Sequence, residues 1–379
     1  MDGEGKSRPR VTVGSRELEI RGRGQVAVQE DKTEEYQMPH TSSVVEPART
    51  KGDTIPVIDL GPYLSDTPGA HDTTAAALRR ALEEIGFFVA VNHGVPQALI
   101  DRTFAEARRF HDLPLETKMR LRMNEHNNGY MAMNRYAVWT SEVNTNTRPD
   151  LNEAFFVKRE RASDDPLLRA GRRFAGPNRW PDDLPGFRET VLAYTDAVDA
   201  LGRRVVCLCA RALGLPAEYF DEAFAESQFS FRLSHYPPVP AADNQFGIAP
   251  HTDANFLTFL AQTDVPGLQV RMPSGSWLDV PYLPGSFAVN SGDMMARWTN
   301  GQFKSTPHRA LPPVGRHRYA IPFFLGPHLD TVIACLPTCQ DERHPPKYPP
   351  ITYDRYLHWW YDANYNASLQ SEGEGARDR

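Results

Sequence analysis

His251-Thr252-Asp253 places an imidazole and a carboxylate two positions apart. In an extended strand such residues project from one face, so both can reach a single ion. His308 follows 55 residues after Asp253, at the end of a run, Phe303–Pro307, that reads as another strand. Two imidazoles and one carboxylate on one side of a metal leave coordination positions open. That arrangement suits ferrous iron that must also bind a co-substrate and dioxygen. Zinc accepts the same donors, but no general base for a hydrolase stands out nearby. On residue type and spacing alone, a chance His-x-Asp triplet and an unrelated surface histidine stay open, because the chain has 12 histidines.

Arg318 stands ten positions after His308, in Arg318-Tyr319-Ala320-Ile321-Pro322-Phe323-Phe324. A guanidinium grips a carboxylate with two parallel hydrogen bonds. Inside an apolar barrel it needs an anionic partner. A dicarboxylate bound to the metal by its other end would supply one; a surface arginine or a structural ion pair is the plainer alternative.

The elements around these residues divide the chain. Residues 1–51 are rich in Gly, Arg, Glu and Ser and poor in aromatics. They read as a flexible extension with a short strand at Val11–Val13. A helix pattern spans 73–85, with Leu78, Leu82 and Ile85 on one face, and Gly86 ends it. Phe87–Val91 reads as a buried strand, 96–111 as a second helix, and 114–180 as irregular. A long helix spans 187–213, with Val191, Val198, Leu201, Val205 and Leu208 inward, stopped by Gly214 and Pro216. From 229 onward, short apolar runs (229–236, 256–262, 268–271, 287–290, 319–325) alternate with turn residues, as in a sandwich or barrel. Tyr353–Tyr361 reads as an aromatic helix.

The 379 residues carry a net charge of -6 and no basic block, so nothing advertises a nucleic-acid or membrane-surface partner. No apolar run reaches the roughly 18 residues of a membrane span, and no secretory pattern opens the chain. Cys207, Cys209, Cys335 and Cys339 form no zinc framework and read as reduced thiols of a cytoplasmic protein.

Several motifs resemble one family. They are Ile55-Pro-Val-Ile-Asp-Leu60, Gly86-Phe-Phe-Val-Ala-Val-Asn-His-Gly-Val95, Phe110-His-Asp-Leu-Pro-Leu-Glu-Thr-Lys118, Asp150-Leu-Asn-Glu-Ala-Phe155, Asn178-Arg-Trp-Pro181, His251-Thr-Asp253, Gly267-Leu-Gln-Val270, Asn290-Ser-Gly-Asp293 and Ser305-Thr-Pro-His308. In this order and spacing they resemble the isopenicillin-N-synthase-like 2-oxoglutarate/Fe(II)-dependent dioxygenases, over about residues 54–362.

The resemblance implies a mainly β fold with flanking helices: a double-stranded β-helix (jelly roll) core with an N-terminal α/β wrapping region. It divides the chain into the 1–51 extension, a mixed region at 52–225, the catalytic core at 226–330, and a C-terminal segment at 331–379 with a helix and a flexible tail. It implies His251, Asp253 and His308 as ligands of Fe(II), and Arg318 and Tyr236 as anchors of 2-oxoglutarate, with O2 as the oxidant. Members often have serine where this chain has Ala320, and some have asparagine where it has Ser234. The lost hydroxyl at Ala320 removes a hydrogen bond to a charged group, worth about 1.5–3 kcal/mol.

Such enzymes turn 2-oxoglutarate into succinate and carbon dioxide while oxidising a C–H bond. Halogenating members need the carboxylate position vacated for chloride. Asp253 is present, so hydroxylation, desaturation or cyclisation of a small organic substrate is expected, with specialised metabolism as the setting. Candidate substrate contacts are Tyr130, Met133, Tyr136, Phe155, Phe256 and Trp298, with Met131 and Trp139 beside them; core packing accounts for the same residues equally well. Arg135, Arg232 and Arg297 are candidates to grip a substrate carboxylate. A 2-oxoglutarate-independent oxidase of the same fold and a non-catalytic binding protein that retains the fold are the alternatives.

Overall fold

The computed structural model describes residues 54–366 together with the strands Thr12–Val13 and Arg16–Glu17. The chain divides into two units, Met1–Glu46 and Pro47–Arg379. In the first, Thr12–Val13 and Arg16–Glu17 pair antiparallel, so the strand expected at 11–13 is present. The rest of the expected extension and the tail after 366 lie outside the described residues.

In the second unit an eight-stranded sheet faces a four-stranded one. The large sheet runs Val57–Asp59, Phe87–Val91, Phe287–Ser291, Leu257–Gln262, Arg318–Gly326, Gln228–Tyr236, Glu153–Lys158, Gly129–Met131. The small sheet runs Trp277–Asp279, Leu268–Arg271, His308–Ala310, Ile248–His251. All pairings are antiparallel except Val57–Asp59 with Phe87–Val91, which the helix Ala70–Glu84 connects. Two facing antiparallel sheets around a shared interior make the expected double-stranded β-helix core.

Side-chain parity in the large sheet decides the site. Register pairs Arg318 with Tyr236, Ala320 with both Ser234 and Gln262, Phe324 with both Ser230 and Thr258, Asn290 with Thr258, and Lys158 with Ser230. Opposed residues share a face, so these side chains all point between the sheets. The alternate residues point outward onto helices. Phe155 packs on Phe110 and Phe187, and Phe231 on Tyr194. The helices there are Gln97–His111 and Phe187–Ala212. All five residues expected inward on the long helix are buried; each such Val or Leu contributes about 1.5–3 kcal/mol.

Gly86 ends the first long helix at φ +76°, and a Cβ there would stand 2.6 Å from the Lys304 carbonyl oxygen. Only glycine allows that turn. Two expectations need correction. Residues 303–307 are not a strand; the strand is His308–Ala310, so His308 opens it. The region 114–180 is more regular than expected, because Glu153–Lys158 is a full strand of the large sheet. All six of its residues are buried, which erases the alternation that marks a strand.

Candidate active site

Both histidines of the His-Asp-His cluster stand on the small sheet, and large-sheet residues Thr258 and Asn290 support the carboxylate. His251 closes Ile248–His251 and pairs in register with His308. Their ring centroids are 4.3 Å apart. Each Nε2 lies 3.7 Å from Asp253 Oδ1, and one ligand atom from each residue falls within 4.8 Å of the others. Asp253 lies two residues past His251, outside the strand, so a turn and not strand alternation brings the two together.

The second contacts of these residues aim them. His251 Nδ1 lies 2.9 Å from the Ala249 carbonyl oxygen, and His308 Nδ1 3.1 Å from that of Thr306. A carbonyl only accepts, so each Nδ1 carries the proton and each Nε2 turns a lone pair inward. Asp253 Oδ2 accepts from Thr258 Oγ1 at 2.6 Å and from Asn290 Nδ2 at 2.8 Å, leaving Oδ1 to face the histidines. Burial, then the neighbouring His308, pushes His251 well below the usual imidazole range. Burial alone would raise Asp253; His308 and His251, with the bonds from Asn290 and Thr258, outweigh it and hold the carboxyl below its ordinary value. A neutral imidazole at His251 and an ionised carboxylate at Asp253 fit a divalent cation.

Arg318 lies on the same interior. It is 1 % exposed, and its Nε and Nη1 have no hydrogen-bond partner. Its guanidinium carbon stands 4.8 Å from the Tyr236 ring centroid, and its Nη2 is a distant 3.5 Å from Gln262 Oε1. A buried cation with orphaned N–H groups demands an anion. One cavity is lined by Arg318, Tyr236, Ser234 and Ala320 together with His251, Asp253 and His308. Ser234 opposes Ala320 in register, so it brings a hydroxyl to the row where Ala320 lacks one. The residues present fit a metal-chelating dicarboxylate.

Known proteins agree. Residues 55–183 match the non-haem dioxygenase in morphine synthesis N-terminal family, and residues 227–327 the 2OG-Fe(II) oxygenase superfamily. The 2-oxoglutarate-Fe(II) type oxidoreductase hxnY of Emericella nidulans is 36% identical over 319 residues, covering 82% of this chain and 90% of the relative. The chain belongs to the 2-oxoglutarate- and Fe(II)-dependent oxygenase superfamily. It is an oxidoreductase that uses Fe(II), 2-oxoglutarate and O2. Kihadalactone A synthase LFS of Citrus sinensis is 35% identical, covering 81% of this oxygenase and 92% of the relative. The crystal structure of a full-length Neurospora crassa protein in complex with alpha-KG and thymine superposes with a TM-score of 0.73 at 29% identity, covering 83% of this chain and 98% of that one.

A second cavity of the oxygenase opens beside the cluster. Its lining includes His251, Asp253, Tyr136, Phe174, Phe229, Ser230, Arg232 and Lys158, and Tyr353, Leu357, Trp360 and Tyr361 of the C-terminal helix. Of the expected substrate contacts, Tyr136 is there. The others lie elsewhere. Tyr130 bonds Glu153 through its hydroxyl. Phe155 faces the helices. Phe256 and Trp298 pack on each other and on Phe220 and Phe224. Met133 is half-buried and Met131 sits in the edge strand. Trp139 is exposed, with its backbone N–H bonded to Asn364. Of the three arginines, Arg232 reaches the cavity, held between the Phe156 and Phe324 rings at 4.6 and 4.5 Å. Arg135 is exposed, and Arg297 bonds the Pro349 carbonyl.

Lys158, Ser230 and the C-terminal helix were not anticipated as cavity residues. One signal was available: in Gln228-Phe-Ser-Phe-Arg-Leu-Ser-His-Tyr236, polar residues occupy every even position through 234. That period-2 pattern marks a polar interior face.

A second His-carboxylate group, His111, Glu153 and His235, is also within 4.8 Å. Here Lys118 Nζ lies 3.0 Å from Glu153 Oε2, and His235 Nδ1 2.7 Å from Oε1. The ammonium already supplies the positive charge, so this is a buried network joining helices to the sheet.

Proposed function

We propose that His251, Asp253 and His308 hold the iron, that Arg318 with Tyr236 anchors the distal carboxylate of 2-oxoglutarate, and that the enzyme hydroxylates, desaturates or cyclises a small organic substrate of specialised metabolism. The carrying observation is the buried Arg318, with two unpartnered nitrogens, in one cavity with the His-Asp-His cluster. When loaded, such a centre supplies dioxygen activation coupled to oxidative decarboxylation of 2-oxoglutarate.

The chain's own groups do the rest. The carbonyls of Ala249 and Thr306 keep both imidazoles in the ligating tautomer. Thr258 and Asn290 fix the carboxylate rotamer. Arg318 sets the orientation of the dicarboxylate, while Leu260, Ala288, Pro322 and Phe324 wall it from water. Asp253 occupies the position a halogenase would leave to chloride. We also keep the division into a 52–225 region, a 226–330 core and a C-terminal segment from 331. Among the described residues no helix is long and apolar enough to cross a membrane. The four thiols are free, which supports a cytoplasmic setting.

The test is an anaerobic titration of apo-protein with Fe(II) and then 2-oxoglutarate, followed by visible absorption. A metal-to-ligand charge-transfer band in the wild type that is lost in Arg318→Ala supports the assignment. A band of equal strength and equal 2-oxoglutarate dependence in Arg318→Ala refutes the anchor.

A further inference from the structure

Lys158 is buried at 2 % exposure and lines the cavity beside the His-Asp-His cluster. Its Nζ donates to the Asn127 carbonyl at 2.6 Å and to Asn128 Oδ1 at 3.1 Å. An ammonium has three donors, so one is left over, and no carboxylate among the described residues pairs with it. The charged groups that act on it are Arg232 and Arg173, both cationic. Arg173 is already committed to Asp362 at 2.6 Å.

Ser230 opposes Lys158 in register, and Arg232 is two residues further along the same face. The Ser230 hydroxyl is buried without a hydrogen-bond partner. A buried amine with a spare donor and an orphaned hydroxyl thus converge, beside Arg232, on a cavity whose other walls, Phe174, Phe324 and Leu357, are apolar. Packing alone gives no reason to leave the Lys158 amine and the Ser230 hydroxyl short of partners there, since each loses hydration on burial.

We propose that Lys158, Ser230 and Arg232 form an anion-binding subsite, and that the substrate is a small carboxylic acid with an apolar body. This rests on the oxygenase reading only in taking the cavity beside the cluster as the substrate's. Burial first, then Arg232 and Arg173, hold the Lys158 amine well below the usual lysine range; an arriving carboxylate removes that penalty. The acid group would lie against Lys158 and Ser230, and the apolar body against Phe324 and Leu357.

The test loads the anaerobic enzyme with Fe(II) and 2-oxoglutarate, so that Arg318 is occupied. It is then titrated calorimetrically with phenylacetate and with octanoate, each against its amide. The wild type is expected to bind the better acid at least about tenfold more tightly than its amide, the scale of a charged hydrogen bond. Lys158→Met should bring that ratio close to one without changing the charge-transfer band. Ser230→Ala, which leaves the Asn127–Asn128 contacts intact, should lower the ratio by about threefold and serves alone if Lys158→Met does not fold. Equal binding of acid and amide, no binding of either acid, or an unchanged ratio in every variant that folds overturns the proposal. Absence of the charge-transfer band in the wild type counts against the proposed function instead. The acid-to-amide ratio is then read in Arg318→Ala protein, where the competing cation is gone.

Discussion

Arg318 and Tyr236 are cross-strand partners, and the guanidinium of one lies 4.8 Å from the ring centroid of the other. The phenol steadies the arginine's position, while Nε and Nη1 keep their donors for a ligand. Arg318→Lys keeps the charge but loses the planar fork. It should weaken 2-oxoglutarate binding by about 2–5 kcal/mol, the range for truncating a buried charged partner. Tyr236→Phe should cost less, about 1.5–3 kcal/mol if its hydroxyl bonds the carboxylate. Titration of the charge-transfer band gives both values.

Asn290 and Thr258 hold the carboxylate oxygen of Asp253 that faces away from the histidines. Asn290→Ala and Thr258→Val should each lower iron affinity by about 10–100-fold while leaving all three ligands in place. Competition with a metal-sensing dye measures this. Affinity unchanged in both variants would rule out the orienting role.

Gly292 sits where the backbone of the Asp253 turn comes closest. A Cβ at 292 would stand 2.3 Å from the Asn255 carbonyl oxygen and 2.6 Å from that of Asp253. Neither atom can swing aside. Gly292→Ala should therefore displace the ligand turn, costing about 1–3 kcal/mol of stability as overpacking does, and should weaken iron binding as well. Thermal melts with and without iron separate the two effects.

The His111–Glu153–His235–Lys118 network gives the fold an acid limit. Glu153 is held far below the usual carboxylate range: burial opposes this, but the neighbouring His111 and the bonds from His235 and Tyr130 prevail. A carboxyl whose folded-state pKa is depressed stabilises above its unfolded value of 4.5 and loses that contribution as pH falls further. His235 is lowered, chiefly by burial. The unfolded chain therefore takes up its proton first, and stability begins to fall as pH drops below 6.5. Urea midpoints should decline from about pH 6.5 and more steeply below about pH 4.5. Glu153→Gln leaves Lys118 without its counter-ion and should destabilise by about 3–5 kcal/mol at neutral pH, with a shallower acid decline.

The His251-Thr-Asp253 triplet was legible in the sequence from short-range spacing, His308 and Arg318 from residue type and order, and Tyr236 only through the family resemblance. His251, Asp253, His308, Arg318 and Tyr236 all line one cavity. The long helix was legible too, because its periodic apolar face survives in one-dimensional order. The substrate wall was not. Phe155 and Phe156 are adjacent and equally apolar, and parity alone sends one to the helices and the other to Arg232. A strand buried on both faces does not announce its parity. The cavity's C-terminal wall comes from residues more than 100 positions beyond Arg232, a closure that no local pattern records.

The Gln228–Tyr236 strand carries Tyr236 and Ser234 in the co-substrate cavity, Ser230 in the other, and Arg232 at the lining of both. Six residues of strand rise about 20 Å between Tyr236 and Ser230, and the hydrogen bonds to both neighbours forbid stretching. With each ligand gripped by its acid group, that strand is a ruler. Which carbon of a substrate faces the metal is then set by how many bonds separate it from its carboxylate, so a homologous series of acids should be oxidised at a constant distance from the acid end, not at the chemically weakest C–H bond.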